Sequence, residues 1–365
     1  MRILQIIQKP QLRGAEIFAC QLSVELIHLG HEVDIVYLFS AENRLADYNL
    51  KFYNLGAIQS KRFWDFKAYR KLALMIKEEK YDIVQANASD TLKYAALSKR
   101  IYSWKSKLVY RNANKMSAFI KNRLHWTLNR FFLAQADQII SVSENCREDL
   151  IYLYSKIKPI TFTATIGTYN SDQVEAKSFN NANPVWVHVG SFVLEKNHTF
   201  LIDLFGQFVK KHAEAELWLL GDGPLRPQIE RYVSELGLIK KVIFYGYQNE
   251  VIPILKAASI MVMPSKIEGL PGVILEALSC GIPVVASDVG GISEVIKNGQ
   301  TGYVISTNQP EDYLDKIDEL LSNGNTYEMF SENGKNLIQN HFLMTGVAKR
   351  FEHLYKNIPG KKGAK

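Results

Sequence analysis

Cysteine is scarce in this sequence, and the three that occur (Cys20, Cys146, Cys280) form no C-x-x-C pair. That excludes a zinc knuckle and a disulfide scaffold and fits a reducing compartment. Long hydrophobic runs are missing as well. Nothing approaches the ~18 consecutive apolar residues of a membrane-spanning helix. The apolar run at Met1–Ile7 is too short for the core of a signal peptide and no small-residue cleavage site follows it, so a cytoplasmic chain is expected. Gly221-x-Gly223 lacks the third glycine of a G-x-G-x-x-G fingerprint, because position 226 is Arg, which argues against a dinucleotide oxidoreductase. No nucleic-acid-binding module is present, so no nucleic-acid partner is expected.

The chain does have the means to build large cores. Its 365 residues are 47% hydrophobic and 22% charged, a globular balance that excludes dominant disorder, and the length suits two domains at roughly 150 residues each. The net charge of +7 is uneven. Residues 1–180 hold 26 Lys/Arg against 17 Asp/Glu, and residues 181–365 hold 18 against 20. The basic surplus therefore belongs to the first half, where an anionic membrane face or an acidic substrate would account for it.

Short apolar runs alternate with amphipathic helical patterns throughout. Ile3–Ile7, Val33–Phe39, 82–86, 107–110 and 136–143 read as strands of the first half. Residues 185–189, 216–220, 242–245, 260–263 and 283–287 read as strands of the second. Glu16–Leu29 reads as a helix stopped by Gly30. The polar stretch 171–183, ending at Pro184, reads as a linker. Such alternation predicts an α/β protein of two doubly wound, Rossmann-like domains. The expected division is 1–170, the linker 171–183, a second domain over 184–345, and a C-terminal helix and basic tail over 346–365 returning towards the first domain. Ligands of such sheets bind at the carboxyl ends of the strands.

The densest signal lies in residues 264–302. Glu268 and Glu276 stand eight apart with Gly269-Leu270-Pro271-Gly272 between them, followed by a helix from about Val273. Backbone N–H groups at such a helix start, aided by the helix dipole, form an anion site. Glu276, placed at about the first turn, suits a ribose diol because a carboxylate accepts two hydroxyl hydrogens at once. Glu268, on the loop itself, can accept hydroxyls of a neighbouring group.

These segments resemble the retaining glycosyltransferases of family four, of the bacterial cell-surface polysaccharide type, which have the GT-B fold. The resemblance rests on the E-x7-E spacing, the G-L-P-G loop and the G-I-P-V-V-A-S-D-V-G-G run. Further support comes from Arg13-Gly14-Ala15-Glu16, the Gly190–Asn197 loop, Leu220–Leu225 and Phe244–Tyr247. It covers the whole chain and is most specific over 184–305. It implies a nucleotide-sugar as co-substrate rather than a bound cofactor, a UDP-sugar in preference to a GDP-sugar, and a glycan or lipid-linked acceptor. Lys196 and the loop over Gly269, Leu270, Pro271 and Gly272 would hold the donor diphosphate, with Pro271 shaping the loop because it has no N–H. Glu276 would hold the ribose, Glu268 the transferred sugar, and Tyr245 to Tyr247 the base, while Gly14 would admit the diphosphate from the first domain. Lys196 and Glu268 are thus the expected catalytic pair.

Two positions depart from the family. Ser191 stands where an Arg is usual, leaving Lys196 with more of the phosphate duty. Asn87 stands where a His is frequent, and an Asn cannot shuttle a proton near pH 7. Asn87 and Asp90 are the expected acceptor-side catalytic groups, with Arg111-Asn112 an alternative. No D-x-D pair occurs, so metal-independent transfer is expected, with lysine and helix dipole neutralising the diphosphate. A nucleotide-sugar epimerase and a non-catalytic partner subunit are the competing readings.

Residues 115–133 fit one amphipathic helix carrying Lys115, Lys121, Arg123, Arg130 and Trp126, and Lys61–Lys71 mixes further cations with aromatics. Basic and aromatic side chains together suit an anionic membrane interface. Peripheral attachment to the inner face of the cytoplasmic membrane is therefore expected.

Overall fold

A computed structural model describes residues 1–171, 183–306 and 309–358. The linker expected over 171–183 lies almost wholly outside them, as does the basic tail after Ile358. The chain divides into two compact units, Met1–Gly167 with Met344–Lys365, and Thr168–Leu343.

The first unit runs β1 (Arg2–Ile7), α1 (Gly14–His28), β2 (Glu32–Tyr37), β3 (Phe52–Asn54), α2 (Phe66–Glu78), β4 (Ile83–Ala86), α3 (Ser89–Tyr102), β5 (Lys107–Asn112), α4 (Arg123–Leu133), β6 (Gln138–Ser141), α5 (Glu144–Leu153) and β7 (Thr161–Thr163). The second runs β8 (Val185–Val189), α6 (His198–Phe208), β9 (Glu216–Leu220), α7 (Arg226–Glu235), β10 (Val242–Gly246), α8 (Ile252–Ala257), β11 (Ile260–Met263), α9 (Gly272–Ser279), β12 (Val284–Ser287), α10 (Ile292–Val295), β13 (Gly302–Ile305), α11 (Pro310–Ser322) and α12 (Gly324–His341). Helix α13 (Met344–Lys356) belongs to the first unit, where Phe351 packs on Phe18 of α1 with ring centroids 5.6 Å apart.

Both sheets are parallel throughout, in the orders β3-β2-β1-β4-β5-β6-β7 and β10-β9-β8-β11-β12-β13. All four residues of β4, and all four of β11, are buried. Helices therefore cover both faces, as continuous apolar strands require. The strand order reverses between β1 and β4 in one sheet and between β8 and β11 in the other. Each reversal opens a crevice at the strands' carboxyl ends, and the expected site residues leave from those ends.

Local chemistry sets the element ends. Asp65 caps α2 by accepting from Ala68 N at 3.2 Å, and Ala68, Tyr69, Leu72, Ala73 and Ile76 bury one face of that helix. Ser143 caps α5 through Cys146 N at 3.2 Å. Gly30 stops α1 at φ +83°.

The single helix expected over 115–133 is divided. A 3-10 turn occupies Met116–Phe119, Ile120 is extended, and α4 starts after Asn122, whose side chain accepts from His125 N at 2.9 Å. Asn122 competes with the helix from inside and becomes its cap. Strands β3, β7 and β13, three or four residues long, add to the strands expected from sequence.

Candidate active site

In the second unit, β8 runs into Gly190-Ser191-Phe192, and this loop rests on the turn after β9. Gly190 N donates to Leu220 O at 2.9 Å, Phe192 N to Asp222 O at 3.0 Å, and Leu225 N to Phe192 O at 3.1 Å. The turn glycines permit that approach. A Cβ on Gly221 would lie 2.1 Å from Gly190 O, and one on Gly223 would lie 2.7 Å from Phe192 O.

After a 3-10 turn (Leu194–Lys196), Asn197 takes the left-handed conformation at φ +57° that opens α6, and its side-chain Nδ2 donates to Pro264 O at 3.1 Å. Lys266 N donates to Glu195 O at 2.7 Å. The loops after β8 and β11 are thus tied across the strand reversal. The Lys196 stem crosses Gly190, where a Cβ would meet its Cδ and Cε at 3.3 Å. Its Nζ donates to Glu268 Oε1 at 2.5 Å, with the two side chains 19% and 9% exposed. Such charge-assisted bonds are about twice as strong as neutral ones.

A second loop fixes the Glu268 backbone. Gly291 N donates to Gly269 O at 2.5 Å. Gly290 sits at φ +63°, where a Cβ would lie 2.1 Å from Glu268 O. Gly269, Leu270 and Pro271 are buried, whereas Gly272 and Val273 are half-buried at the start of α9. Pro271 precedes the helix and no side chain caps it. The first-turn amides have no intrahelical partner, so the N–H groups of Gly272 and Val273 are open to an anion.

Glu276 is the fifth residue of α9, one residue deeper than expected, because the helix starts at Gly272. Its side chain still leans towards the helix start, as helical side chains do. Burial pushes its carboxyl up to about 7. Tyr245 lies at a bulge of β10, packed against Trp218 with ring centroids 5.5 Å apart, while Tyr247 is 39% exposed. Ser191 is half-buried on the β8 loop.

Two histidines lie beneath Lys196. His188 donates from Nδ1 to Val262 O at 2.9 Å, leaving a buried Nε2 without a hydrogen-bond partner. His198 stacks on Phe192 at 4.1 Å and lies 4.9 Å from His188. Burial holds His188 down at about 4 and His198 at about 2, so both are neutral. Arg226 also reaches the site's edge: a Cβ on Gly246 would lie 3.3 Å from its Nη1, and its guanidinium lies over Phe244. In sequence Arg226 stands out only as the residue in place of a third glycine.

In the first unit, Gly14 is the first residue of α1, and a Cβ there would meet nothing within 4 Å. Asn87 is 1% exposed. Its Nδ2 donates to Gln5 Oε1 at 2.8 Å and to Ile6 O at 3.2 Å, and its Oδ1 accepts from Gln85 Nε2 at 3.0 Å. Its amide is thus committed inside the sheet and offers no free edge to a sugar hydroxyl. Asp90 accepts from Lys93 at 2.8 Å, Gln8 at 2.9 Å and Arg62 at 3.4 Å. Burial alone would raise its carboxyl, but the Lys93 hydrogen bond and charge, the Arg62 charge and the Gln8 hydrogen bond prevail and hold it below the usual range. Asp90 is an ionised, paired carboxylate, not a proton donor.

Residues 12–161 match the family model described as Glycosyltransferase Family 4, and residues 170–337 match the model described as Glycosyl transferases group 1. The chain belongs to glycosyltransferase family four. The transferase is 23% identical to the N-acetyl-alpha-D-glucosaminyl L-malate synthase of Bacillus anthracis over 96% of its own length and 95% of that protein's. It is 24% identical to the UDP-Gal:alpha-D-GlcNAc-diphosphoundecaprenol alpha-1,3-galactosyltransferase of Escherichia coli, covering 80% and 79% of the two chains. Among solved structures it resembles Anabaena HepE in complex with UDP-glucose, with a TM-score of 0.83, 18% identity, and 98% and 99% of the two chains covered. That likeness establishes the GT-B fold, to which each of the two parallel-sheet units contributes one Rossmann-like domain.

Proposed function

We propose that the transferase is retaining and metal-independent, and moves a sugar from a nucleotide donor, UDP in preference to GDP, to a glycan or lipid-linked acceptor in cell-surface polysaccharide synthesis. The observation that carries this reading is the Lys196–Glu268 pair across the strand reversal of the second unit, beside the uncapped start of α9. Lys196 and the first α9 amides would stabilise the departing diphosphate, Glu268 would position the transferred sugar, and Glu276 the ribose. Placed donors of this kind act on charge developing in the transition state. UDP is favoured because UDP-glucose binds HepE and the E. coli relative is named for UDP-Gal. The products of both named relatives carry an anionic acceptor, malate in one and a lipid diphosphate in the other.

Charge and exposure support work at a membrane face. The first unit holds 31 Lys/Arg against 16 Asp/Glu and the second 13 against 21. Trp64 is 75% and Leu124 68% exposed, with Phe66 also exposed, among Lys61, Lys67, Lys121 and Arg123. Phe63 stacks on Phe132 at 6.4 Å, which places the two basic-aromatic stretches side by side. Among the described residues no helix is long and apolar enough to cross a membrane, so attachment would be peripheral, on the inner face of the cytoplasmic membrane.

The test is product analysis with a panel of nucleotide sugars and acceptors in EDTA. One UDP-sugar should be consumed only when an acceptor is present, and NMR should show its anomeric configuration kept. An inverted product, or turnover restored only by Mn²⁺, would contradict the reading. Donor altered without acceptor would indicate an epimerase, and donor bound but never turned over would indicate a non-catalytic partner.

A further inference from the structure

Arg111, on the first unit's β5, is buried to 3% exposure, yet its Nε and Nη1 have no hydrogen-bond partner and it forms no ion pair among the described residues. Its guanidinium carbon lies 4.0 Å from the Phe18 ring centre, which orients the cation without satisfying its N–H groups. The acidic groups near it leave its Nε and Nη1 without a hydrogen bond. Glu16 is itself buried and hydrogen-bonds Gln11 at 3.3 Å, and the Tyr355 hydroxyl donates to Gln85 at 2.6 Å. Burial lowers Arg111 only to about 10, so it stays charged at neutral pH.

Burying a cation costs desolvation, and replacing buried charged groups by apolar residues of similar volume is often neutral or stabilising. A buried cation with Nε and Nη1 unpaired next to the carboxyl end of a parallel strand stands where ligands of such sheets bind. The forked donors of an arginine match an oxyanion bidentately. We propose that Arg111 is the cation of an oxyanion-recognition site in the first unit, taking a phosphate or carboxylate group carried by the acceptor. Identifying that ligand as the acceptor rests on the glycosyl-transfer reading, whereas the anion site itself does not.

The experiment is thermal unfolding of the full chain with UDP held saturating, so that the donor site is filled. Inorganic phosphate and malonate are each titrated against chloride at equal ionic strength, for the wild type, Arg111→Met and Arg111→Lys. In the wild type, phosphate or malonate should raise the midpoint beyond the chloride control, and the stronger of the two names the oxyanion class. Arg111→Met should unfold at an equal or higher temperature than wild type without anion and should respond at least about tenfold more weakly to it, with Arg111→Lys between them. An equal anion response in wild type and Arg111→Met, a response no larger than that to chloride, or an Arg111→Met protein markedly less stable than wild type would each overturn the proposal. A missing UDP response would count against the donor reading instead and leave the anion titration to be judged alone.

Discussion

Gly290 and Glu268 stand so close that no other residue type fits at position 290. A Cβ there would lie 2.1 Å from the Glu268 carbonyl oxygen, and the residue's φ of +63° already disfavours any side chain. The glycine-rich turn after β12 thus fixes the backbone that carries the carboxylate paired with Lys196.

Gly290→Ala should therefore cost stability and activity together. The left-handed φ alone costs about 1–2 kcal/mol, and the overlap must also push Glu268 away. Gly14→Ala meets nothing within 4 Å and leaves folding stability unchanged, so any rise it causes in donor KM reports space needed by a ligand. Denaturant unfolding combined with steady-state kinetics separates the two.

Glu268→Ala and Lys196→Ala should each lower kcat by about a hundredfold or more, the scale seen when a preorganised electrostatic group is removed. Both should keep the wild-type circular dichroism spectrum. Near-wild-type transfer by both would refute the catalytic pair.

Glu276 gives a pH dependence of definite sign. Its folded pKa of about 7 lies above the ordinary glutamate value of 4.5. The stability it contributes is therefore complete below about 4.5 and is lost as pH rises through 7. Glu276→Gln escapes that loss, and its stability should gain on wild type by on the order of 2–3 kcal/mol between pH 4.5 and 8. Donor affinity should show the reverse trend. In wild type it should tighten from pH 6 to 8 as the carboxylate forms, and it should stay flat in Glu276→Gln. Parallel urea titrations and UDP binding across this range check both.

Vesicle flotation tests the membrane face. Binding should require anionic lipid, weaken between low and high salt, and fall in Trp64→Ala combined with Leu124→Ser. Binding indifferent to lipid charge and salt would contradict the interface.

The strand–helix alternation and the separate choice of Lys196 and Glu268 concern segments whose turn glycines and charges announce themselves locally, whereas the contact between these two side chains spans 72 residues. What stayed hidden depended on long-range packing. Asn87 looks available in sequence, but Gln5, 82 residues away, takes its amide. Arg111 reads in sequence as an alternative acceptor-side group, but its burial against Phe18 without hydrogen bonds to Nε and Nη1 depends on α1 packing beside β5. Glu276 falls one residue deeper because propensity does not say whether a helix begins at Gly272 or beyond. The division of 115–133 turned on one side chain, Asn122, acting as a cap rather than a helical residue.

The central claim is that a nucleoside diphosphate binds at the Lys196–Glu268 crossing of the second unit. Calorimetric titration of UDP into wild type and Lys196→Ala tests it most directly. The account expects one site in wild type and at least about tenfold weaker binding in Lys196→Ala, the scale of one charge-assisted contact to phosphate. Equal UDP affinity in the two proteins, or no binding by wild type, would contradict it.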